Sequence, residues 1–419
     1  MKKTIFTRGF KALLVTQFLG ACNDNLLKQI IALQVVAGIW REELGKGGQG
    51  VVTVIFTLPF ILFSGWSGQI ADRISKPRLT KWVKLAEIFL ALAAIVALWI
   101  QSLTLAMLVL LFLALQSTVF GPAKYGMLPE LFPESDLGRA NGAINMFTYA
   151  AIILGAFLGG VLSDHYPASR MAPGLVLLLV AVAGFAASKF LAPLPAYDPS
   201  VRLSKNPFAP YWLMLRLMIR RRYLMVIALG WAFFDIIGVL VLQAILDFKL
   251  LLGLTDKETS LLNLPLLAGV GLGSALAGIL SKGRIRAGLI PIGAAGIALF
   301  FVFMGLISLT LPWTVILLFG LGIFGGLYVV PLQALIQAKA PPKMRGRVTG
   351  TTNFLGFSFI AAGGALYWFL RAVLHLSVQP LLLICGAMTL AATGYLVWRI
   401  RLLFTHQTTL RSKEGKSSS

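Results

Sequence analysis

Apolar residues run along this chain in long blocks rather than in alternation. Twelve stretches lie roughly at 12–38, 51–70, 83–101, 103–121, 141–163, 172–192, 224–246, 260–280, 287–308, 312–335, 350–372 and 378–400. Each has about the 18 to 25 residues that cross a ~30 Å hydrocarbon core at 1.5 Å per residue. Lipid cannot satisfy backbone polar groups, and no ten-residue alternating pattern of a barrel strand occurs, so each stretch is expected to be a helix. The predicted fold class is therefore an all-α polytopic membrane protein with twelve transmembrane helices. Met1 to Leu19 has the basic start and apolar run of a secretory leader. No small-residue cleavage site follows, and the run continues through Asp24 and Lys28, so the segment is read as the first span.

Polar punctuation divides the blocks. The longest interruption, about Pro193 to Tyr223, carries Pro193, Pro195, Pro199, Pro207 and Pro210 and separates two sets of six spans. The expected organisation is an N-terminal six-helix half (1–192), a cytoplasmic linker (193–223), a C-terminal half (224–404) and a disordered polar tail (405–419). Tyr211 to Arg222 reads as a short interfacial amphipathic helix, because Tyr, Trp, Leu and Met accompany a basic flank. Arg139-Ala-Asn-Gly142-Ala-Ile-Asn145 before and within span five resembles Arg347-Val-Thr-Gly350-Thr-Thr-Asn353 before span eleven, at an offset of 208 residues. Parallel six-helix repeats of this kind are the architecture of major facilitator carriers.

Composition agrees with this picture, at 58% hydrophobic and 12% charged residues over 419 positions. The formal net charge of +22 would suit nucleic acid, but its placement argues otherwise. With both termini inside, the external loops hold only Arg41, Lys46, Arg170, Lys249, Lys257 and Arg371 of 37 Lys and Arg. Apart from intramembrane Lys28, the rest fall on the cytoplasmic side, the positive-inside distribution of an inner-membrane protein. Clusters such as Lys76, Arg78, Lys81, Lys84 and Arg220, Arg221, Arg222 are expected to meet anionic lipid head groups. Cys22 and Cys385 both fall within spans, so neither a disulfide framework nor a thiolate metal site is expected. His165, His375 and His406 lie near loops or in the tail, which leaves an intramembrane enzyme without a base or metal cluster. No cofactor and no metal are expected.

Candidate chemistry rests on charges at membrane depth, where an ionisable group costs a few kcal/mol or more and usually faces a cavity or a partner. Asp24 and Lys28 are four residues apart in span one, on one helical face with Gln17 and Ala21. They form either a self-neutralising pair or a cavity wall offering an acid and a base to a head group. Asp235 in span seven has no obvious helical partner, and Gln243 follows two turns later. At the inner end of span four, Phe120-Gly-Pro-Ala-Lys124-Tyr-Gly126-Met-Leu-Pro-Glu130 should break the helix. It should bring Lys124 near Glu130, either as a plain turn or as an anion site in which Glu130 holds the lysine. Gly155-Ala-Phe-Leu-Gly159-Gly160 reads as a close helix-packing run, as do the glycines of spans eight and ten.

Two sets of motifs carry a family likeness. Gly68-Gln-Ile-Ala-Asp72-Arg73-Ile-Ser-Lys76-Pro-Arg78 resembles the major facilitator loop between spans two and three, and the resemblance implies a latch or gating role for Gly68, Asp72, Arg73 and the repeat arginines Arg139 and Arg347. Pro77 interrupts the basic pair of that pattern. Phe18-Leu-Gly-Ala-Cys-Asn23-Asp24-Asn25, Gly121-Pro-Ala-Lys124-Tyr-Gly126 and Ala140-Asn-Gly142 leading to Gly155-Ala-Phe-Leu-Gly-Gly160 resemble the bacterial lysophospholipid transporter family of the major facilitator superfamily.

That resemblance implies a flippase moving lysophosphatidylethanolamine or lysophosphatidylglycerol across the inner membrane, by alternating access, to an acyltransferase that restores the missing chain. Its expected partners are the lysophospholipid substrate, membrane lipids, and that acyltransferase or an acyl-activating enzyme. In such a carrier Asp24 would attract an ammonium or coupling cation and Lys28 or Lys124 would hold phosphate. Asn25, Asn145, Asp235 and Asn353 would supply hydrogen bonds. Neither His165 nor His375 has an aspartate five positions on, so the acyltransferase domain fused to some relatives is not expected here. A proton-coupled drug or metabolite exporter of the same fold, with Asp24 or Asp235 as its protonation site, is the rival expectation.

Overall fold

The computed structural model describes the backbone of residues 6–200, 203–206, 208–281, 285–340 and 345–414. Within these, it leaves the side chains of 41, 42, 134–139, 141, 142, 145, 210, 213, 281, 337, 345–347, 349 and 399–414 undescribed. In chain order the helices begin with α1 (Arg8–Ala37), α2 (Arg41–Leu44), α3 (Gln49–Arg73), α4 (Lys76–Trp99), α5 (Leu103–Gly126), α6 (Leu128–Leu131), α7 (Glu134–Asp164) and α8 (Ala172–Ser188). They continue with α9 (Ala209–Arg220), α10 (Arg222–Leu252), α11 (Asp256–Leu261), α12 (Asn263–Ser281), α13 (Leu289–Leu306), α14 (Leu311–Lys339), α15 (Arg345–Trp368) and α16 (Val378–Glu414). A π-helical turn, Phe369–Val373, follows α15.

All twelve expected spans are helical. Among the described residues, ten helices are long and apolar enough to cross a bilayer. The other two spans are α1, which has 30 residues but carries Asp24 and Lys28 mid-helix, and α8, with 17 residues. Helix α1 starts at Thr7, whose hydroxyl accepts from the Phe10 amide, and stops at Gly38. There a left-handed φ of 103° returns the amide to the Gln34 and Val35 carbonyls, a conformation glycine adopts without penalty. Helix α16 runs to Glu414, past Thr405 where the apolar pattern ends. The break expected within Phe120–Glu130 falls at Gly126–Met127 rather than at the proline: α5 continues through Pro122 and ends at Gly126, and α6 begins at Leu128. Proline leaves the Thr118 carbonyl without its intrahelical donor, a loss that a membrane helix tolerates when its neighbours pack well.

The chain divides into two compact units. The first comprises 1–210 together with 245–261 and 364–372, so the last turns of α10, all of α11 and the end of α15 pack with α1–α8. Its core joins Leu26, Leu27, Ile30 and Ile31 of α1 to Ala94 and Leu98 of α4, Leu110 and Leu113 of α5, and Leu177 and Ala181 of α8. Tyr166 is buried under it and donates to the Leu98 carbonyl at 2.6 Å. The linker runs along this unit, held at the end of α3. Trp66 Nε1 donates to the Ser204 carbonyl at 2.8 Å, Gln69 Oε1 accepts from the Ser204 amide at 2.7 Å, and the Asp72 carbonyl accepts from the Asp198 amide at 3.0 Å. Ser75 Oγ, on the next turn, donates to the Leu194 carbonyl at 2.7 Å. Within the linker the Ser200 hydroxyl and amide both bond Asp198 and hold its carboxyl below the usual carboxylate range.

The second unit comprises 211–244, 262–363 and 373–419. Helix α9 buries Met214 and Met218 and exposes Trp212, Arg216 and Ile219, as an amphipathic helix should, while Tyr211 stacks on Phe354 at 4.6 Å. Helices α12 and α14 meet backbone to backbone. A Cβ on Gly269 would lie 2.2 Å from the Phe319 carbonyl oxygen, and one on Gly322 would lie 2.2 Å from that of Leu266. The packing reading of the span-eight and span-ten glycines therefore holds at these two positions, whereas Gly271 faces open space.

Gly269→Leu should force α12 off α14 and destabilise the protein by about 1–3 kcal/mol, as overpacking does. Gly271→Leu should leave the thermal unfolding midpoint of the detergent-solubilised protein near that of the parent, and Gly269→Leu should lower it.

Candidate functional site

A chain of polar side chains crosses the first unit where α1, α4, α5 and α7 meet. Its centre is Asp24, 6% exposed on α1, whose Oδ2 accepts from the Ser117 hydroxyl of α5. Ser117 in turn accepts from Gln116 Nε2 at 3.2 Å. Beside Asp24, Asn23 Nδ2 donates to Glu87 Oε1 of α4 at 2.9 Å, and Glu87 Oε2 takes an ion pair from Lys84 three residues earlier on the same helix. Both partners of that pair are essentially inaccessible, at 1% and 0% exposure. The Lys84 ammonium lies in a notch opposite Gly20, where a Cβ would come within 2.2 Å of Nζ.

One to two turns nearer the N-terminus of α1, Gln17 gathers three groups. Its Oε1 accepts from Lys124 Nζ at 3.3 Å and from Thr148 Oγ1 at 2.9 Å, and its Nε2 donates to the Ile144 carbonyl at 3.1 Å. Lys28 sits with Nζ 5.1 Å from the Phe56 ring centroid. Among the described residues, no carboxylate lies within 4.0 Å of Lys28 or Lys124, and no cation within 4.0 Å of Asp24. One carboxylate and two ammonium groups are thus held in the helix bundle without ionic partners, and the Asp24 Oδ1, Asn23 Oδ1 and Gln116 Oε1 acceptors are buried without donors. Groups this costly to desolvate suit a ligand bearing both charge signs and several donors.

Some expectations need correction. Asp24 and Lys28 share a face but are not an ion pair: Asp24 Oδ2 takes the Ser117 hydroxyl and Lys28 lies against the Phe56 ring. Glu130 does not hold Lys124; it ion-pairs with Lys76, because α5 continues past Lys124 and places Glu130 on α6 beside the start of α4. Lys76 and Lys84 do not meet head groups, being 3% and 1% exposed and committed to Glu130 and Glu87. Asn25 donates to the Ala21 carbonyl of its own helix at 2.8 Å. In the second unit, Asp235 Oδ2 is directed at Gly356, where a Cβ would approach it to 2.7 Å, and Asn353 is exposed. Asp72 and Arg73 are exposed and Gly68 has open space before it. The side chains of Asn145, Arg139 and Arg347 lie outside the described residues. The Gly155 and Gly159 packing reading holds, since Cβ atoms there would come to 2.4 Å of the Cys22 carbonyl oxygen and 2.8 Å of Gln29 Cβ.

Sequence reasoning missed Glu87, and it assigned Lys84 to the lipid surface. The signal was present as an acid and a base three apart inside an apolar span, where neither can remain alone. Ser117, Gln116 and Thr148 carried none, because hydroxyl and amide side chains recur in membrane helices without a cavity.

A family model described as Major Facilitator Superfamily matches residues 13–365. The lysophospholipid transporter LplT of Salmonella arizonae is 30% identical over 339 residues, covering 80% of this chain and 81% of that protein. This chain belongs to the lysophospholipid transporter family of the major facilitator superfamily. The LplT of Cronobacter sakazakii is 28% identical over 412 residues, covering 94% of the transporter described here and 97% of its relative. Solved structures share the fold: a nucleoside transporter, NupG, superposes with a TM-score of 0.72 at 12% identity, covering 93% of this transporter and 98% of NupG. An auto-inhibited peptide transporter of the POT family gives 0.69 at 16% identity, covering 94% and 97%.

Lys84→Met should strand the buried Glu87 carboxylate and cost about 3–5 kcal/mol, whereas Lys84→Met with Glu87→Leu should recover most of it. Unfolding of the two purified variants, followed by tryptophan fluorescence against temperature, measures the difference.

Proposed function

We propose that this transporter carries lysophospholipids, such as lysophosphatidylethanolamine and lysophosphatidylglycerol, across the bacterial inner membrane for re-acylation. The observation that carries the reading is the charge set on α1 and α5 that is unmatched among the described residues: Asp24 without a cation within 4.0 Å, and Lys124 and Lys28 without a carboxylate. A lysophospholipid head group supplies what is lacking. Its phosphate pairs with the Lys124 or the Lys28 ammonium group, and an ethanolamine ammonium pairs with Asp24 while its N–H groups meet the donorless oxygens of Asp24, Asn23 and Gln116. The names of the relatives favour this substrate class over a drug or metabolite exporter.

The positive-inside distribution supports cytoplasmic termini. On that orientation the exposed Trp212, Arg216 and Ile219 side of α9 rests on the inner head-group layer, with Arg216 stacked on Trp212 at 5.4 Å. An acyltransferase on the same side would receive the flipped lipid.

Spheroplasts expressing the protein should take up labelled lysophosphatidylethanolamine and should not take up the double-chained lipid. Asp24→Asn should reduce that uptake more than tenfold, and Lys124→Gln should raise the half-saturating concentration as a phosphate contact is lost. Full-rate uptake by Asp24→Asn at parental membrane levels would remove the head-group assignment.

A further inference from the structure

The end of the first unit farthest from the linker holds a second buried charge cluster that the head-group site does not use. Asp247, 4% exposed near the end of α10, receives two hydrogen bonds and an ion pair. Gln49 Nε2 from the first turn of α3 bonds its Oδ1 at 3.0 Å, the Tyr367 hydroxyl from α15 bonds Oδ2 at 2.7 Å, and Arg371 Nε from the π-helical turn lies 2.7 Å from the same oxygen. Around it the backbones of α3 and α15 touch. A Cβ on Gly50 would lie 2.2 Å from the Gly364 carbonyl oxygen, and one on Gly364 would lie 2.6 Å from that of Gly50. Trp368 Nε1 donates to the Leu44 carbonyl at 3.1 Å. Helix α11 is fastened nearby, with Asp164 accepting from the Asp256 and Lys257 amides at 2.6 and 2.9 Å and Lys249 paired to Asp256.

No head group passes where the backbones of two helices leave no room for a Cβ. We propose that Asp247 is the positioning residue of an outer clasp: it holds the ends of α3, α10 and α15 together in this state, and the clasp opens and re-forms as a lysolipid is carried. The proposal rests on the carrier reading above. The chemistry suits a reversible closure. All three contacts end on one carboxylate, so a single displacement of Asp247 breaks these three contacts at once, and water satisfies the carboxylate once it is exposed.

Gly45 and Ala372 provide the reporter, because a Cβ on Gly45 would lie 3.8 Å from that of Ala372, the spacing a disulfide takes; the left-handed φ of 70° at Gly45 strains every cysteine-bearing form alike, so rates are compared within that background. In a background of Cys22→Ala and Cys385→Ala, the Gly45→Cys/Ala372→Cys pair should cross-link on mild oxidation. Uptake of labelled lysophosphatidylethanolamine should then fall more than tenfold and return on reduction. Adding Asp247→Asn should slow cross-linking at least threefold, and Tyr367→Phe, which removes one donor and keeps the charge, should slow it less. If Asp247→Asn does not reach the membrane, the Tyr367→Phe rate decides. A cross-linking rate indifferent to both substitutions, or undiminished uptake by the cross-linked protein, overturns the clasp. Slowed cross-linking with no lysolipid uptake by any form, the unmodified protein included, overturns the substrate reading and leaves the clasp in place.

Discussion

A charge carried below the head-group layer must be matched or hydrogen-bonded, and the first unit is organised around that requirement. Lys84 and Glu87 meet it on one helix, yet they act between helices: the ammonium needs the notch opposite Gly20, and the carboxylate captures Asn23. Helices α1 and α4 are thereby fixed in register, which sets where Asp24 points. Glycines on α7 let that helix approach α1 closely enough for Gln17 to reach Thr148 and the Ile144 carbonyl. The arrangement separates charges that serve the fold, which are paired within the protein, from charges left for a visitor.

The fold was legible because lipid imposes length and apolarity on every span, and those two properties are visible in a single sequence. All twelve apolar stretches became helices. The break expected within Phe120–Glu130 comes later than Pro122, although in water the missing amide and the ring clash usually end a helix at the proline itself. In α5 the helix runs on for four more residues. That extension moved Glu130 away from Lys124 and gave it to Lys76.

The site was legible only in part, for a reason that lies in its geometry. Asp24, Lys28 and Lys124 announced themselves through charge at depth. Whether two such residues neutralise each other depends on rotamers and on third parties, such as Ser117 for Asp24 and Phe56 for Lys28. Spacing along one helix cannot encode those choices. Asp247 and Arg371 were hidden differently: they lie 124 residues apart, and nothing local in either segment marks the other.

The linker is fastened to the end of α3 almost wholly through main-chain atoms of its own: the Leu194 and Ser204 carbonyls and the Asp198 and Ser204 amides. Among the described residues, its side chains add the packing of Leu194 on the core and of Tyr197 beside Lys76. Over evolutionary time such a segment can exchange many of its other residues while its route stays fixed. Relatives of this transporter can thus differ freely in the linker and still share its path, whereas drift at Trp66, Gln69 or Ser75 would unmoor it.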